Sequence, residues 1–129
     1  MNYLSFEEAL VLAEAATGIR AEVLAGTPRI YLLDSALHVP QASFDGIELH
    51  VGVVQKAASL VTRIAKNHPL PDGNKRLAWL SLVEFCLRND VKLNYTPDDA
   101  VAFMLQVASG ECTHEKAVDW IHEHIEGSL

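Results

Sequence analysis

Cysteine is scarce: the 129 residues hold two, Cys86 and Cys112, too few for a disulfide framework. Cys86 lies inside the apolar run "LAWLSLVEFCL", where a reduced core thiol is the expected state. That usage fits a protein of the reducing cytoplasm. Positive charge is scarce too. Lys and Arg total 10 against 17 Asp and Glu, a net charge of −7, which argues against a general binder of nucleic acid or anionic membrane. No apolar stretch approaches the roughly 20 residues needed to span a bilayer. The opening "MNYLSFEEAL" is acidic where a secretion signal would be basic. Repeats, low-complexity tracts and linkers are also missing, so a single domain over 1–129 is expected.

What is present is apolar and reads as helix. Half of the residues are hydrophobic, enough for a real core at this length. Ser5 and Glu8 form a capping box for a helix that Gly18 stops. Segment 20–25 adds a helical turn or two, and "RIYLLDSAL" a short helix ending before Pro40. "VPQASFDG", with its Asp45-Gly46 pair, reads as an exposed loop or small hairpin. From about residue 47, Leu49, Val53, Val54, Ala57, Leu60, Val61 and Ile64 recur at three- and four-residue spacings, as in one amphipathic helix. Further helices are expected from about Gly73 to Arg88, from the Thr96 cap to Gly110, and from Thr113 to roughly Glu126. The class is all-α: a compact domain of about six to seven helices with a short extended flap near 39–46.

One stretch concentrates polar chemistry at the mouth of an apolar helix: "HPLPDGNKR", residues 68–76. Pro-Asp-Gly alone is an ordinary turn, and on that reading Asp72 caps the helix. Other features point to an anion. A helix beginning near Gly73 offers unpaired backbone N–H groups, and the missing Cβ lets an anion approach them. Lys75 and Arg76 suit a helix N-terminus poorly unless a polyphosphate lies there. His68, stiffened by two prolines, is placed to serve as a general base. Asp72 could hold a Mg²⁺ bridging phosphate oxygens. Together these parts suit phosphoryl or nucleotidyl transfer. From the residues alone, the capped turn and the anion site both stand.

The same nine residues resemble the signature of the Fic/Doc family: His, any residue, Phe, any residue, Asp or Glu, Ala or Gly, Asn, Gly or Lys, Arg. His68, Asp72, Gly73, Asn74, Lys75 and Arg76 match. "RIYLLDSALHVPQASFDG" resembles the segment that precedes the signature in Doc-like proteins, so the likeness covers roughly residues 3 to 125. It implies His68 as the base, Asp72 as the Mg²⁺ ligand, and Gly73, Asn74, Lys75 and Arg76 as an anion hole for ATP phosphates. It also implies a flap around Pro40, Ser43 and Phe44 that docks the target as an added strand.

Two departures bear on the chemistry. Most Fic proteins carry glycine where Lys75 stands, and a second arginine where Trp79 stands; those two features accompany AMP transfer. The lysine-bearing Doc branch is similar to a kinase that phosphorylates elongation factor Tu and stops translation. A lysine here can change which phosphate faces the base, so γ-phosphoryl transfer is expected, with AMP transfer as the alternative. Leu70 replaces the usual phenylalanine and can still fill an apolar socket. The inhibitory helix of many Fic proteins needs Ser or Thr four residues before its glutamate; ahead of Glu126-Gly127 that position is His122. A separate antitoxin in trans is the partner expected for a bacterial, cytoplasmic protein of this kind.

His114, His122 and His124, with Glu115 and Glu123, lack clean metal spacing and fit a solvated terminal helix better. His38 and His50 read as packing or surface residues. Lys66 is either a phosphate ligand or a solvated helix-end cation. Trp79 and Trp120 read as core, not as a stacking platform. A fold retained as a non-catalytic binding module, and a helical nucleic-acid adaptor, are the readings from other classes.

Overall fold

Residues 1–127 are described by a computed structural model, and they form seven α-helices with one two-stranded antiparallel hairpin. Helix α1 (Phe6–Thr17) opens on the expected capping box: Glu8 N–H donates to Ser5 Oγ at 3.1 Å, and Ser5 N–H donates to the Glu8 carboxylate at 2.9 Å. Gly18 closes it with φ +75°. A single turn, α2 (Ala21–Leu24), leads to α3 (Tyr31–His38), which runs into a 3-10 turn at Val39–Gln41. Strands β1 (Ser43–Phe44) and β2 (Ile47–Glu48) pair across Asp45 and Gly46, both at positive φ, the geometry that Asp-Gly favours in a tight hairpin. Then come α4 (Gly52–Asn67), α5 (Asn74–Arg88), α6 (Pro97–Ser109) and α7 (His114–Glu123).

Three boundaries differ from the sequence reading. The fourth helix does not begin near 47: Ile47 and Glu48 are strand, and Leu49 is exposed. Gly52, the first residue of α4, turns the chain there at φ +84°, so the helical spacing of apolar residues extends upstream only by coincidence. The flap is therefore Ser43–Glu48, while Pro40 is buried in the 3-10 turn beneath it. The last helix stops at Glu123, because the chain beyond it pairs with the segment before α6. Asn94 N–H donates to the His124 carbonyl at 2.6 Å, and Glu126 N–H donates to Lys92 at 2.7 Å.

Helix α4 is the centre of the domain. It packs against α3, α5, α6 and α7, and Ala57, Ala58, Val61 and Ile64 are fully buried. Its buried face is broad, while Gln55, Arg63 and Lys66 mark the side left to solvent, as expected of an amphipathic helix. Trp79, Tyr95, Phe103, Trp120 and His124 form a chain of packed rings, with Phe103 and Trp120 stacked at 4.2 Å and Trp120 and His124 at 3.8 Å. Both tryptophans are half-buried and pack between helices against the core. Cys86 is free and buried, and burial pushes its thiol up to about 12, so it is an inert core residue. No helix of the described residues is long and apolar enough to cross a membrane.

Lys56 is an exception in this core. It is 1% exposed, yet its Nζ donates to the Pro40 carbonyl at 2.9 Å and to the Glu48 carboxylate at 3.1 Å, with the Tyr3 ring 5.5 Å away. Burial alone would lower its pKa; Tyr3 and Glu48 outweigh that and leave it raised, so the ammonium stays charged. It ties the flap to α4.

Glu8 links the α1 cap to Arg88 at the far end of α5. The backbone hydrogen bond from Ser5 and the bond from Arg88 hold its carboxyl below the ordinary 4.5. A depressed folded-state pKa contributes stability above the ordinary value and loses it as pH falls through the folded one. Glu8→Gln is therefore expected to lower the melting temperature at neutral pH and to flatten its decline below about pH 4.5. Thermal melts of both chains across that range check it; parallel acid limbs would contradict it.

Candidate active site

The stretch 68–76 lines a cleft of about 520 Å³, within the usual range for small-ligand sites. His68, Pro71, Asp72, Gly73, Asn74, Lys75 and Arg76 form one wall; Ala16, Thr17 and Ile19, from the end of α1, lie opposite, with Ala65 and Ala108 completing it. Sequence neighbours are thus joined by a segment about fifty residues upstream in the chain, which no local pattern announces.

Each wall residue is set by its backbone. His68 is the C-cap of α4, in the left-handed region at φ 51° and ψ 57°, with its N–H donating to Ile64 at 3.1 Å. For a residue with a Cβ that conformation costs roughly 1–2 kcal/mol. Leu70 is 1% exposed and fills its apolar socket. The buried Asn74 side chain turns back onto it: Leu70 N–H donates to Asn74 Oδ1, and Asn74 Nδ2 donates to the Leu70 carbonyl, each at 2.8 Å. Asn74 therefore braces the loop with its side chain and offers the cleft only its backbone N–H.

Gly73 is the N-cap of α5 at φ +85°, with no side-chain cap. The reading in which Asp72 caps this helix is thus not what the structure holds. A Cβ on Gly73 would come within 2.9 Å of Thr17 Cγ2, so glycine is required by both the torsion and the neighbour. With no capping side chain, the first-turn amides of α5 remain available to an anion. Arg76 Nη1 donates to the Ala16 carbonyl at 3.0 Å. The positive start of α5 thereby meets the negative end of α1, a favourable pairing of dipoles. Lys75 and Asp72 are exposed on the cleft, and neither forms an ion pair among the described residues.

The chemistry of this donor set fits a Mg²⁺–nucleotide. One free carboxylate is what Mg²⁺ takes from a protein when phosphate oxygens and water complete its shell. The amides, Lys75 and Arg76 suit the phosphates.

The remaining candidates separate. Lys66 is exposed in the last turn of α4 and is not among the residues lining the cleft. Ser43 and Phe44 lie on the flap, away from the cleft lining, with Phe44 77% and Ile47 69% exposed. His114 Nε2 lies 2.9 Å from Gln55 Oε1, and its ring is 5.0 Å from that of His50. Burial, with His114, Lys56 and Arg63 nearby, lowers the His50 pKa. His124 packs on Trp120, and no three or more His, Cys, Asp or Glu converge as a metal set among the described residues. His38 Nδ1 lies 2.8 Å from the Asp34 carbonyl, a local helix-end contact.

Sequence reasoning missed Arg29. Its Nε donates to the His68 carbonyl at 3.1 Å and its Nη2 to the Asn67 carbonyl at 2.7 Å. In return, Asn67 Nδ2 donates to the Leu32 carbonyl at 2.9 Å. A lone arginine after "GTP" gives no sign of a reach across the fold.

The cleft thus joins an uncapped helix mouth, one free carboxylate and a histidine held at its backbone. The model of the Fic/DOC family matches residues 3–86, and the chain belongs to that family. Among curated proteins, the chain is similar to "Toxin Doc" of Mycolicibacterium smegmatis (strain ATCC 700084 / mc(2)155). The two are 37% identical over 114 residues, 86% of this chain and 84% of that protein.

Removing the Asn74 side chain would strand both backbone groups of buried Leu70. Each such loss costs about 1–3 kcal/mol. Asn74→Ala is expected to lower stability by roughly 2–4 kcal/mol, and Asn74→Asp, which sets a buried carboxylate oxygen against the Leu70 carbonyl, by no less. Chemical denaturation of the three chains tests this; equal stability would mean that the loop holds without its brace.

Proposed function

We propose that this chain is a Doc-type toxin that transfers the γ-phosphoryl group of ATP to a hydroxyl of a target protein. The observation that carries the reading is the pairing of Lys75 with Trp79. Lys75 puts an unpaired cation on the cleft wall, whereas position 79, an arginine in AMP-transferring members, is packed among Tyr95, Phe103 and Trp120. No second guanidinium reaches the phosphates from there.

In this reading His68 accepts the proton of the acceptor hydroxyl. That oxygen bonds to the γ-phosphorus as the bond from the γ-phosphorus to the β–γ bridging oxygen breaks, and ADP leaves. The α5 amides, Lys75 and Arg76 hold the phosphates and balance their charge. Bound Mg²⁺, held by Asp72, would neutralise phosphate charge and orient the transferred group. The exposed hairpin at Ser43–Glu48 offers a strand edge and the apolar side chains of Phe44 and Ile47 to an extended target segment. Elongation factor Tu is the proposed target, inhibition of translation the outcome, and a separate antitoxin in the bacterial cytoplasm the restraint. The likeness to "Toxin Doc" supports the toxin reading.

The test is a labelling experiment with the purified chain, Mg²⁺ and a bacterial lysate, run in parallel with γ-labelled and α-labelled ATP. Label from the γ position only, reduced about 10²–10⁴-fold in His68→Ala, is the expected result. Label from the α position would make the chain an AMP transferase. No His68-dependent label would leave a binding module.

A further inference from the structure

We infer that Arg29 is a positioning residue for His68, one that fixes the direction of the imidazole by holding the backbone behind it. The inference rests on the reading of His68 as the base.

The last carbonyls of a helix have no partner within it, and α4 ends where the site begins. Arg29 supplies donors to two of them in succession, Asn67 and His68, from a segment that is remote in sequence. Its positive charge also sits at the negative end of the α4 dipole. The contact is reciprocal, since Asn67 reaches back to Leu32. Together these bonds lock residues 29–32 against 67–68.

The geometry matters because His68 has a left-handed conformation that is costly for a residue with a Cβ, and a buried proline follows it. Its carbonyl belongs to the peptide that leads into Pro69. Holding that oxygen sets the plane of the peptide, and with its N–H fixed to Ile64 it sets the Cα–Cβ direction. Arg29 does not line the cleft, so it acts on the reaction only through His68. Lysine cannot substitute: its single ammonium lacks the planar fork that spans two acceptors.

Misplacing a reacting group by about 1 Å can cost on the order of 10²-fold in rate. Arg29→Ala and Arg29→Lys are therefore expected to slow His68-dependent label transfer roughly 10–100-fold. The KM for ATP should stay within about twofold, and the pH profile of the rate should fall in height without changing shape, because neither nucleotide contacts nor protonation are touched. Rates are taken well below the melting temperature of each variant, so loss of fold does not enter. NMR backbone shifts of the full-length chain supply a readout independent of turnover: in Arg29→Ala, His68 should leave the left-handed region. An unchanged rate and an unchanged His68 torsion would overturn the inference, as would a loss confined to the KM for ATP. If the unaltered chain gives no His68-dependent label, the reading of the site fails, and the torsion alone decides whether Arg29 holds His68.

Discussion

The first turn of α5 is uncapped and yet firmly held, and the rest of the site depends on how that is achieved. Helices α1, α6 and α7 each place a hydroxyl, from Ser5, Thr96 or Thr113, over their first-turn amides. Such a cap steadies a helix start and also occupies it. Helix α5 begins instead on Gly73, without a side-chain cap. The bracing is moved behind the loop, where Asn74 pins Leu70 and Leu70 fills a socket in the core. Burying a leucine side chain contributes about 1.5–3 kcal/mol, enough to hold a short loop without obstructing its outer face.

That arrangement explains why the cleft needs α1. An uncapped helix start lined with Lys75 and Arg76 is electrostatically unfavourable until a negative group comes near. The carbonyl end of α1 provides part of that charge through the Ala16–Arg76 contact. Thr17 in turn closes against Gly73 so tightly that no larger residue fits without a shift. One contact between two helix ends thus serves packing, charge balance and the shape of the cleft.

Much of this was legible in the sequence because it is local. The capping box at Ser5, the Thr96 cap, the Asp45-Gly46 turn and the polar mouth at 68–76 are each written within a few residues. What was not legible is carried by single residues reaching far along the chain. Arg29 bonds carbonyls nearly forty residues away, and Lys56 looks like any exposed helix cation until its position in α4 turns it inward. Backbone acceptors leave no mark on sequence, since every residue has one. The misplaced start of α4 has a different cause. Leu49 falls into helical register with Val53, four residues on, and only the left-handed torsion at Gly52 separates hairpin from helix.

Helix α4 also connects the two halves of the proposed chemistry. Near its start Lys56 holds the flap through Pro40 and Glu48; at its end His68 stands at the cleft. At about 1.5 Å per residue the two points lie roughly 18 Å apart along the helix. Because one broad face of α4 is packed into the core, that spacing is set by a helix in close-packed surroundings. A target segment laid along the flap edge would meet the proposed base at a distance fixed by a helix rather than by the loops at its ends. A buried ammonium is a costly anchor for a hairpin, since unpairing it would leave a charge in the core. The same cost makes it a firm one: the flap cannot swing away from α4 without exposing or stranding Lys56.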